Sequence, residues 1–206
     1  MIGDSVQKSL QWCLVLVTVL LVTGCLSRSA PRVTYYSLMT MEQLGETETL
    51  AALPEVRLGV GPITIPDSLK RSQIATRQQG NPHEFAEFHR WAGVLEKDIT
   101  SVMGDNLGQL LGIEKVGFFP WLHHFKPTYR VTIDVIRFDG SLEDEAVLSA
   151  RWAVADSRGK DFLAGRKSDY RQPLADASFA ALIKAESQLL AALSKEIAAV
   201  IVALEK

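Results

Sequence analysis

The sequence predicts an α+β fold, in which a mainly antiparallel sheet is covered by two long helices within a single domain. Two observations lead to this fold class. Several segments alternate apolar and polar residues with the period of a half-buried strand, whereas two longer segments repeat apolar residues every three or four positions. Along the chain these segments run strands, helix, strands, helix, an order typical of helices that cover a sheet.

The first strands are predicted between residues 35 and 77. Residues 35–38 form an edge strand, and the Glu- and Thr-rich stretch that follows it, as far as residue 52, is a loop or a short helical turn. Residues 55–65 alternate as a strand, and Pro62 within them indicates an edge position or a bulge, because proline cannot donate to a sheet ladder. Residues 68–77 are predicted to return as the hairpin partner of this strand.

The first long helix is predicted over residues 83–111, after a turn signal at residues 80–82. Its apolar residues recur at spacings of three and four, and the opposite face is charged, as in a helix that lies on a sheet. Gly112 would end it. Residues 116–121 then form a short aromatic strand or loop that Pro120 closes.

The second group of strands is predicted as a three-stranded meander. Residues 129–138 alternate until the phase changes at Ile136, which indicates a bulge. After a turn at Asp139-Gly140, residues 148–154 form the return strand, and residues 160–171 form the third.

The last helix is predicted over residues 175–204, with a stripe of leucine, isoleucine and valine at helical spacing. This stripe would pack beside the first helix on the sheet. A heptad seam for a coiled-coil partner is the alternative, although Glu186 interrupts it.

An apolar run over residues 12–22 has about half the length that a membrane-spanning helix needs. It ends in Leu-Val-Thr-Gly-Cys at residues 21–25, where small residues would suit a signal peptidase. The pattern resembles the lipobox of bacterial lipoproteins, in which the thiol of the cysteine is acylated. We therefore expect a lipid on Cys25, while an uncleaved anchor and an ordinary signal peptide remain alternatives.

Three regions follow from this interpretation: a lipoprotein signal peptide at residues 1–24, the lipidated cysteine and tether at 25–34, and an α+β domain at 35–206. Acyl chains on Cys25 would anchor the protein durably. Loss of the signal peptide removes Cys13, so no disulfide could form within one chain, and a hydrophobic core must hold the domain. A composition that is 47% apolar can supply such a core.

No residue pattern indicates catalysis, a metal or a cofactor. His123 and His124 are adjacent, and on a strand they would point to opposite faces. His83 and His89 are six residues apart and would not share a helix face. Residues 143–145, Glu-Asp-Glu, are expected in a solvated turn. We therefore expect a protein that is not an enzyme. A net charge of −2 gives no indication of nucleic-acid binding, which would call for a basic face.

The run Phe118-Phe119-Pro120-Trp121-Leu122 is the feature most suggestive of contact with another molecule. If these side chains are exposed, they form an apolar patch that would touch a partner, a membrane or a lipid. If alternate side chains fill the core, the run is structural. The sequence leaves both possibilities open.

Several short motifs occur in an order that resembles the PqiC family, the auxiliary lipoproteins of ABC-type and MCE-type transport systems. The motifs are Gly24-Cys25, Tyr35-Tyr36-Ser37-Leu38, Ile65-Pro66-Asp67 within residues 61–69, Trp91 with Asn106-Leu107, Phe138-Asp139-Gly140, and Trp152. Together they extend over nearly the whole chain after the signal peptide.

The resemblance implies an outer-membrane lipoprotein that faces the periplasm and docks an MCE-domain (PqiB-like) transport protein, as part of a lipid transport system that supports envelope integrity. It also implies a homo-oligomeric ring, and Leu26 after Cys25 agrees with sorting to the outer membrane. No nucleic-acid partner and no cofactor are expected. The alternative is a lipoprotein that scaffolds or activates a cell-wall or outer-membrane assembly machine.

Overall fold

The computed structural model describes Trp12, residues 31–77 and residues 83–206, and within these it contains eight strands and two α-helices. The predicted signal peptide, Cys25, the start of the tether and the turn at residues 80–82 lie outside the described residues. The elements in chain order are β1 (Thr34–Tyr36), β2 (Leu58–Thr64), a short 3-10 helix (Asp67–Leu69), β3 (Gln73–Arg77), β4 (His83–Trp91), α1 (Leu95–Leu111), β5 (Val116–Phe118), β6 (Tyr129–Gly140), β7 (Glu145–Ala155), β8 (Phe162–Pro173) and α2 (Phe179–Leu204).

Strand β6 is the centre of the sheet. On one side it pairs with β7, and β7 pairs with β8, as the predicted antiparallel meander. On the other side the first half of β6 pairs with β2, and Gly140 at its end pairs with Thr76 of β3. Strand β5 lies beyond β2, while β4 and then β1 lie beyond β3.

The sheet is mixed, so the predicted α+β fold is confirmed but the sheet is not purely antiparallel. The pairs β1–β4, β2–β5, β2–β6 and β3–β6 are parallel, and three pairs are antiparallel. The cause is connectivity: the chain passes through α1 between β2 and its neighbours β5 and β6, and a crossover of this kind joins parallel strands. Apolar alternation carries no information about strand direction.

The predicted hairpin of residues 55–65 with 68–77 does not form. After β2, Pro66 and the short 3-10 helix turn the chain, so that β3 pairs with β4 instead. Two predicted irregularities are confirmed. The β2–β6 register shifts between Val60 and Ile63, around Pro62, and the β6–β7 register shifts between Val135 and Arg137, around Ile136.

The predicted helix over residues 83–111 is two elements. Strand β4 takes its first nine residues, and α1 begins only at Leu95. The backbone of β4 is held between β1 and β3, and the turn after it is fixed by Ala92 N, which donates to Tyr36 O at 2.8 Å. Apolar residues at 85, 88 and 91 have helical spacing, but this segment forms a strand because it pairs with β1 on one side and β3 on the other.

Both helices lie on the same face of the sheet, as predicted, with α1 against β2 and β5 and α2 against β7 and β8. Gly112 ends α1 in the left-handed conformation (φ 59°), and Ile113 N donates to Gly108 O at 2.9 Å. Helix α2 begins at the cap Ser178, whose Oγ accepts from Ala181 N at 3.1 Å.

Helix α2 is the one helix in the described part of the chain that is long and apolar enough to cross a membrane, but half of its most apolar window is buried inside the protein. Leu193, Ile197 and Ile201 are at most 1% exposed and belong to the core shared with α1 and the sheet. The apolar stripe is therefore used within the domain, which disfavours the coiled-coil alternative.

Candidate functional site

Residues 118–125, here called the aromatic loop, leave the end of β5 and are held against β2 at both ends. Phe119 N donates to Val60 O at 2.9 Å. At the far end, Thr128 N donates to Arg57 O at 2.7 Å, and Arg57 N donates to Thr128 Oγ1 at 3.2 Å. One strand therefore fixes where the loop starts and where it returns.

Glycines allow the rings of this loop to lie directly on the backbone below them. A methyl group added at Gly104 of α1 would lie 2.3 Å from Cε1 of Phe118, and one at Gly117 would lie 2.3 Å from Cε1 of Phe125. A methyl group at Gly59 of β2 would lie 3.0 Å from the ring of Trp121. The loop thus rests on a surface without side chains, which sequence periodicity does not reveal.

The outer side chains of the aromatic loop are exposed. Phe118, Phe119 and Leu122 are 41%, 51% and 68% exposed, while Trp121 is half-buried and meets the ring of Phe119 edge-on at 5.3 Å. The run therefore does not fill the core, and the predicted exposure of these side chains is confirmed, while their contact with another molecule stays a prediction. Grouped aromatic side chains on a fixed backbone are characteristic of interaction surfaces.

On one side of the loop lies a cleft of about 820 Å³, here called the basic cleft. Its apolar lining includes Trp121, Leu122, Phe125, Pro127 and Leu163, and its cationic lining is Arg57, Lys126, Arg130 and Arg158. The guanidinium of Arg130 lies 5.1 Å from the ring centroid of Trp121. The cleft thus combines an apolar wall with four positive charges.

Tyr129 also lines the basic cleft. Its hydroxyl donates to Glu205 Oε1 at 2.6 Å, which ties the end of α2 to the start of β6. Burial and the neighbouring Glu205 carboxylate raise the pKa of Tyr129 to about 12, so this phenol stays neutral at physiological pH. Its role here is structural.

A second cleft, of about 690 Å³, is lined by Phe118 at the start of the aromatic loop. Its charged lining residues are Glu42, Asp105 and Glu114. Burial raises the pKa of Asp105. The aromatic loop therefore contributes side chains to a basic cleft and to an acidic one.

The predicted histidine candidates do not converge on a site. His123 and His124 are exposed in a turn rather than on a strand, and His83 contacts Arg77. His89 Nδ1 lies 2.9 Å from the hydroxyl of Tyr36. Among residues 31–77 and 83–206, no group of three His, Cys, Asp or Glu residues is placed to hold a metal ion.

The acidic run at residues 143–145 lies where it was predicted, in the turn between β6 and β7. Glu143 and Asp144 are exposed, while Glu145 begins β7 and forms an ion pair with Arg171 of β8. The run therefore offers no binding geometry. Cys25, the predicted lipid attachment residue, lies outside the described residues.

Two buried acids were missed by the sequence reasoning. Asp139, predicted in a turn, is 1% exposed at the end of β6, where it pairs with Arg77 at 2.9 Å and Arg137 at 2.8 Å. Glu186 of α2 is also 1% exposed, and its Oε2 has no hydrogen-bond partner among the described residues. Burial and the nearby Asp139 raise the pKa of Glu186 well above its ordinary value. The position of Glu186 within the apolar stripe of α2 was the sequence signal that could have indicated its burial.

A third acid joins α2 to the edge strand β8. Glu196 accepts hydrogen bonds from Arg166, Ser168 and Tyr170, and Ser168 Oγ accepts from Trp152 Nε1 at 3.0 Å. Burial opposes ionisation of Glu196, but these donors outweigh it and lower the pKa of the carboxyl group. This network positions the helix and is distant in the sequence from the aromatic loop.

Comparison with known proteins gives one family. A family model described as "ABC-type transport auxiliary lipoprotein component" matches residues 36–198, which is most of the chain and nearly all of the described part. No curated protein matches the chain.

Solved structures support the same fold. The crystal structure of an uncharacterized protein is 19% identical, with a TM-score of 0.66, and the alignment covers 83% of this chain and 99% of that one. A protein from Xanthomonas campestris, of the family DUF330, is 17% identical with a TM-score of 0.66, over 81% of this chain and 93% of that one. At these identities the likeness concerns the fold alone.

Proposed function

Since the chain belongs to the ABC-type transport auxiliary lipoprotein family, we propose that it is the docking component of a lipid transport system between the inner and outer membranes. The observation that carries this proposal is the exposed aromatic loop on a rigid support. The membership confirms the resemblance to the PqiC family drawn from the sequence motifs. It assigns the chain to transport auxiliary components rather than to an enzyme family.

The anchor in this proposal is a lipid on Cys25. The Gly24-Cys25 pair at the end of the apolar run supports it, as does membership in a lipoprotein family. Leu26 after the cysteine supports an outer-membrane position with the domain in the periplasm. Residues 26–33 would then be a short tether, because β1 begins at Thr34.

The partner in this proposal is an MCE-domain protein, similar to PqiB, whose conduit reaches from the inner membrane. Its distal end would contact Phe118, Phe119 and Leu122. Aromatic side chains give large contact area at low entropy cost, and they are the usual centres of binding energy in protein interfaces. The rigid attachment of the loop to β2 lowers the ordering cost of binding.

We further propose that several copies form a ring at the conduit end. One domain offers one aromatic loop, and a conduit end with rotational symmetry needs a contact repeated around its axis. Chemical crosslinking of the lipoprotein in membranes would then give a ladder that ends at a defined number of subunits.

The test of the proposed function is a crosslinking pull-down of the native lipoprotein from membranes, with Cys25→Ala as the control. We expect recovery of an MCE-domain protein from the wild type and its loss from the variant, since the variant lacks the anchor. Recovery of cell-wall or outer-membrane assembly enzymes without any MCE protein would overturn the proposal and favour the scaffold alternative.

A further inference from the structure

We propose that the basic cleft binds one molecule of an anionic phospholipid, with the head-group phosphate at the cationic rim and the acyl chain along the aromatic wall. The inference rests on the proposed function, because it names a lipid as a direct ligand of the domain beside its docking loop. Three properties of the cleft support the inference. Its cations form no ion pair within the described residues, one of its walls is apolar, and its volume suits part of a lipid.

The cationic side chains of the basic cleft have no carboxylate partner within the part of the chain that the structure describes. Other cationic side chains of the described residues do form ion pairs, such as Arg151 with Asp134 and Lys195 with Glu46. Within residues 31–77 and 83–206, no ion pair is formed by any of the cleft cations, which are Arg57, Lys126, Arg130 and Arg158. Positive charge is therefore concentrated here in a chain whose net charge is −2.

Carboxylates near the cleft are already engaged. Asp156 is the one acid that lines it, and its Oδ1 accepts from the backbone of Lys160 at 2.8 Å and of Asp161 at 3.1 Å. Glu205 accepts a hydrogen bond from the hydroxyl of Tyr129. Even with both acids counted, the cations are in excess, and an anion is the ligand that complements them.

Arg130 adds a more specific indication. Its Nε is buried and has no hydrogen-bond partner among the described residues, while its guanidinium lies over Trp121 and beneath the turn at Gly159. A buried donor without an acceptor is costly. A phosphate oxygen in the cleft would supply negative charge beside this guanidinium.

The apolar wall continues beyond the aromatic loop. Leu163 lines the cleft with Trp121 and Leu122, and Phe162 next to it is 69% exposed at the start of β8. An inorganic anion would leave this wall in water, whereas an acyl chain would cover it. A volume of about 820 Å³ lies within the usual range for small-molecule sites and holds part of one lipid.

The test uses the full lipoprotein reconstituted in phosphatidylcholine nanodiscs. The discs contain a trace of either phosphatidylglycerol or phosphatidylcholine that carries a photoreactive acyl chain, and the labelled peptides are mapped by mass spectrometry. We expect phosphatidylglycerol to label the segment with Trp121 and Leu122, and phosphatidylcholine to label it much less.

The variant pair separates specific binding from general attraction to the membrane. Arg57→Gln with Arg158→Gln should lower this labelling at least about tenfold, since two contacts to a phosphate are lost. The matched control is Arg151→Gln with Lys167→Gln, which removes the same charge from exposed, ion-paired positions on β7 and β8. It should leave the labelling unchanged.

Equal labelling by the two lipids, labelling only outside the aromatic loop and residues 162–163, or equal loss in both charge variants would overturn the inference. The proposed function is tested separately, by crosslinking the lipoprotein to the MCE protein in membranes. If that crosslink persists while lipid labelling fails, the cleft does not bind lipid and the docking role stands. If the crosslink is absent as well, both proposals are wrong.

Discussion

Gly104 of α1 lies directly beneath the ring of Phe118. A methyl group at Gly104 would lie 2.3 Å from Cε1 and 2.7 Å from Cζ of that ring, so the two residues cannot keep their positions if the glycine gains a side chain. A glycine in the middle of a helix normally costs stability. Here it allows α1 to support the exposed aromatic loop.

We therefore expect Gly104→Ala to have opposite effects in two backgrounds. In the wild type it should destabilise by about 1–2 kcal/mol, because overpacking outweighs the gain in helix propensity. In a Phe118→Ala background it should stabilise by up to about 1 kcal/mol, since the clash is gone. Urea unfolding of the four proteins measures this coupling.

The control for this cycle is Gly93→Ala. No atom lies within 4 Å of a methyl group added at Gly93, so we expect no coupling with Phe118→Ala. Equal, additive effects of Gly104→Ala in both backgrounds would contradict the close contact with Phe118.

Removal of the exposed apolar groups should separate folding from assembly. Phe119→Ser with Leu122→Ser should change the free energy of unfolding by less than about 1 kcal/mol, because both side chains are more than half exposed. The same variant should lose its crosslink to the partner. A variant that unfolds instead would mean that the loop belongs to the core.

Glu186 should make the protein less stable as the pH rises. Burial raises the pKa of this carboxyl group, so the unfolded chain releases its proton near the ordinary value of about 4.3 while the folded chain retains it. The contribution of Glu186 to stability is therefore fully present below that pH. Above that pH the free energy of unfolding falls by at most about 1.4 kcal/mol per pH unit.

Glu186→Gln, which is uncharged at every pH, should accordingly match the wild type near pH 4 and exceed its stability at pH 7. Denaturant unfolding as a function of pH measures the difference, with Glu143→Gln in the exposed turn as the control. A parallel pH dependence of Glu186→Gln and wild type would show that Glu186 is not buried in its neutral form.

Glu196 should behave in the opposite direction. Its pKa is lowered by the hydrogen bonds from Tyr170, Ser168 and Arg166, so it stabilises the fold above its unfolded pKa and loses that contribution as the pH falls through the folded value. Glu196→Gln should cost about 1 kcal/mol at pH 7, and less in acid. If Glu196→Gln lost the same free energy of unfolding at every pH, ionisation of Glu196 would not be the source of its stabilising effect.

Strand and helix periodicity predicted most of the elements, but not how they pair. The meander β6–β7–β8 was predicted because hairpin neighbours are adjacent in the sequence. The pairing of Thr76 with Gly140 joins segments more than 60 residues apart, and no local pattern encodes it. Pairing with β1 on one side and β3 on the other makes residues 83–91 a strand, although their apolar spacing also fits a helix.

The aromatic run was identified from the sequence, whereas its surroundings were not. The rings of Trp121, Phe118 and Phe125 lie over Gly59, Gly104 and Gly117, and these glycines come from three different elements that are close only after folding. The cations of the basic cleft are likewise scattered, since Arg57 precedes β2 and Arg158 lies in the turn after β7. The sequence could therefore indicate a contact segment but not the cleft beside it.

Site-specific crosslinking in cells is the most direct test of whether the aromatic loop docks an MCE-domain conduit. A photo-crosslinking amino acid would replace Phe119, and in a matched strain Val94, which is 59% exposed at the N-terminal end of α1. We expect a crosslink to an MCE-domain protein from position 119 and none from position 94. Crosslinks from position 119 to cell-wall enzymes only, or equal crosslinks to the MCE protein from both positions, would contradict it.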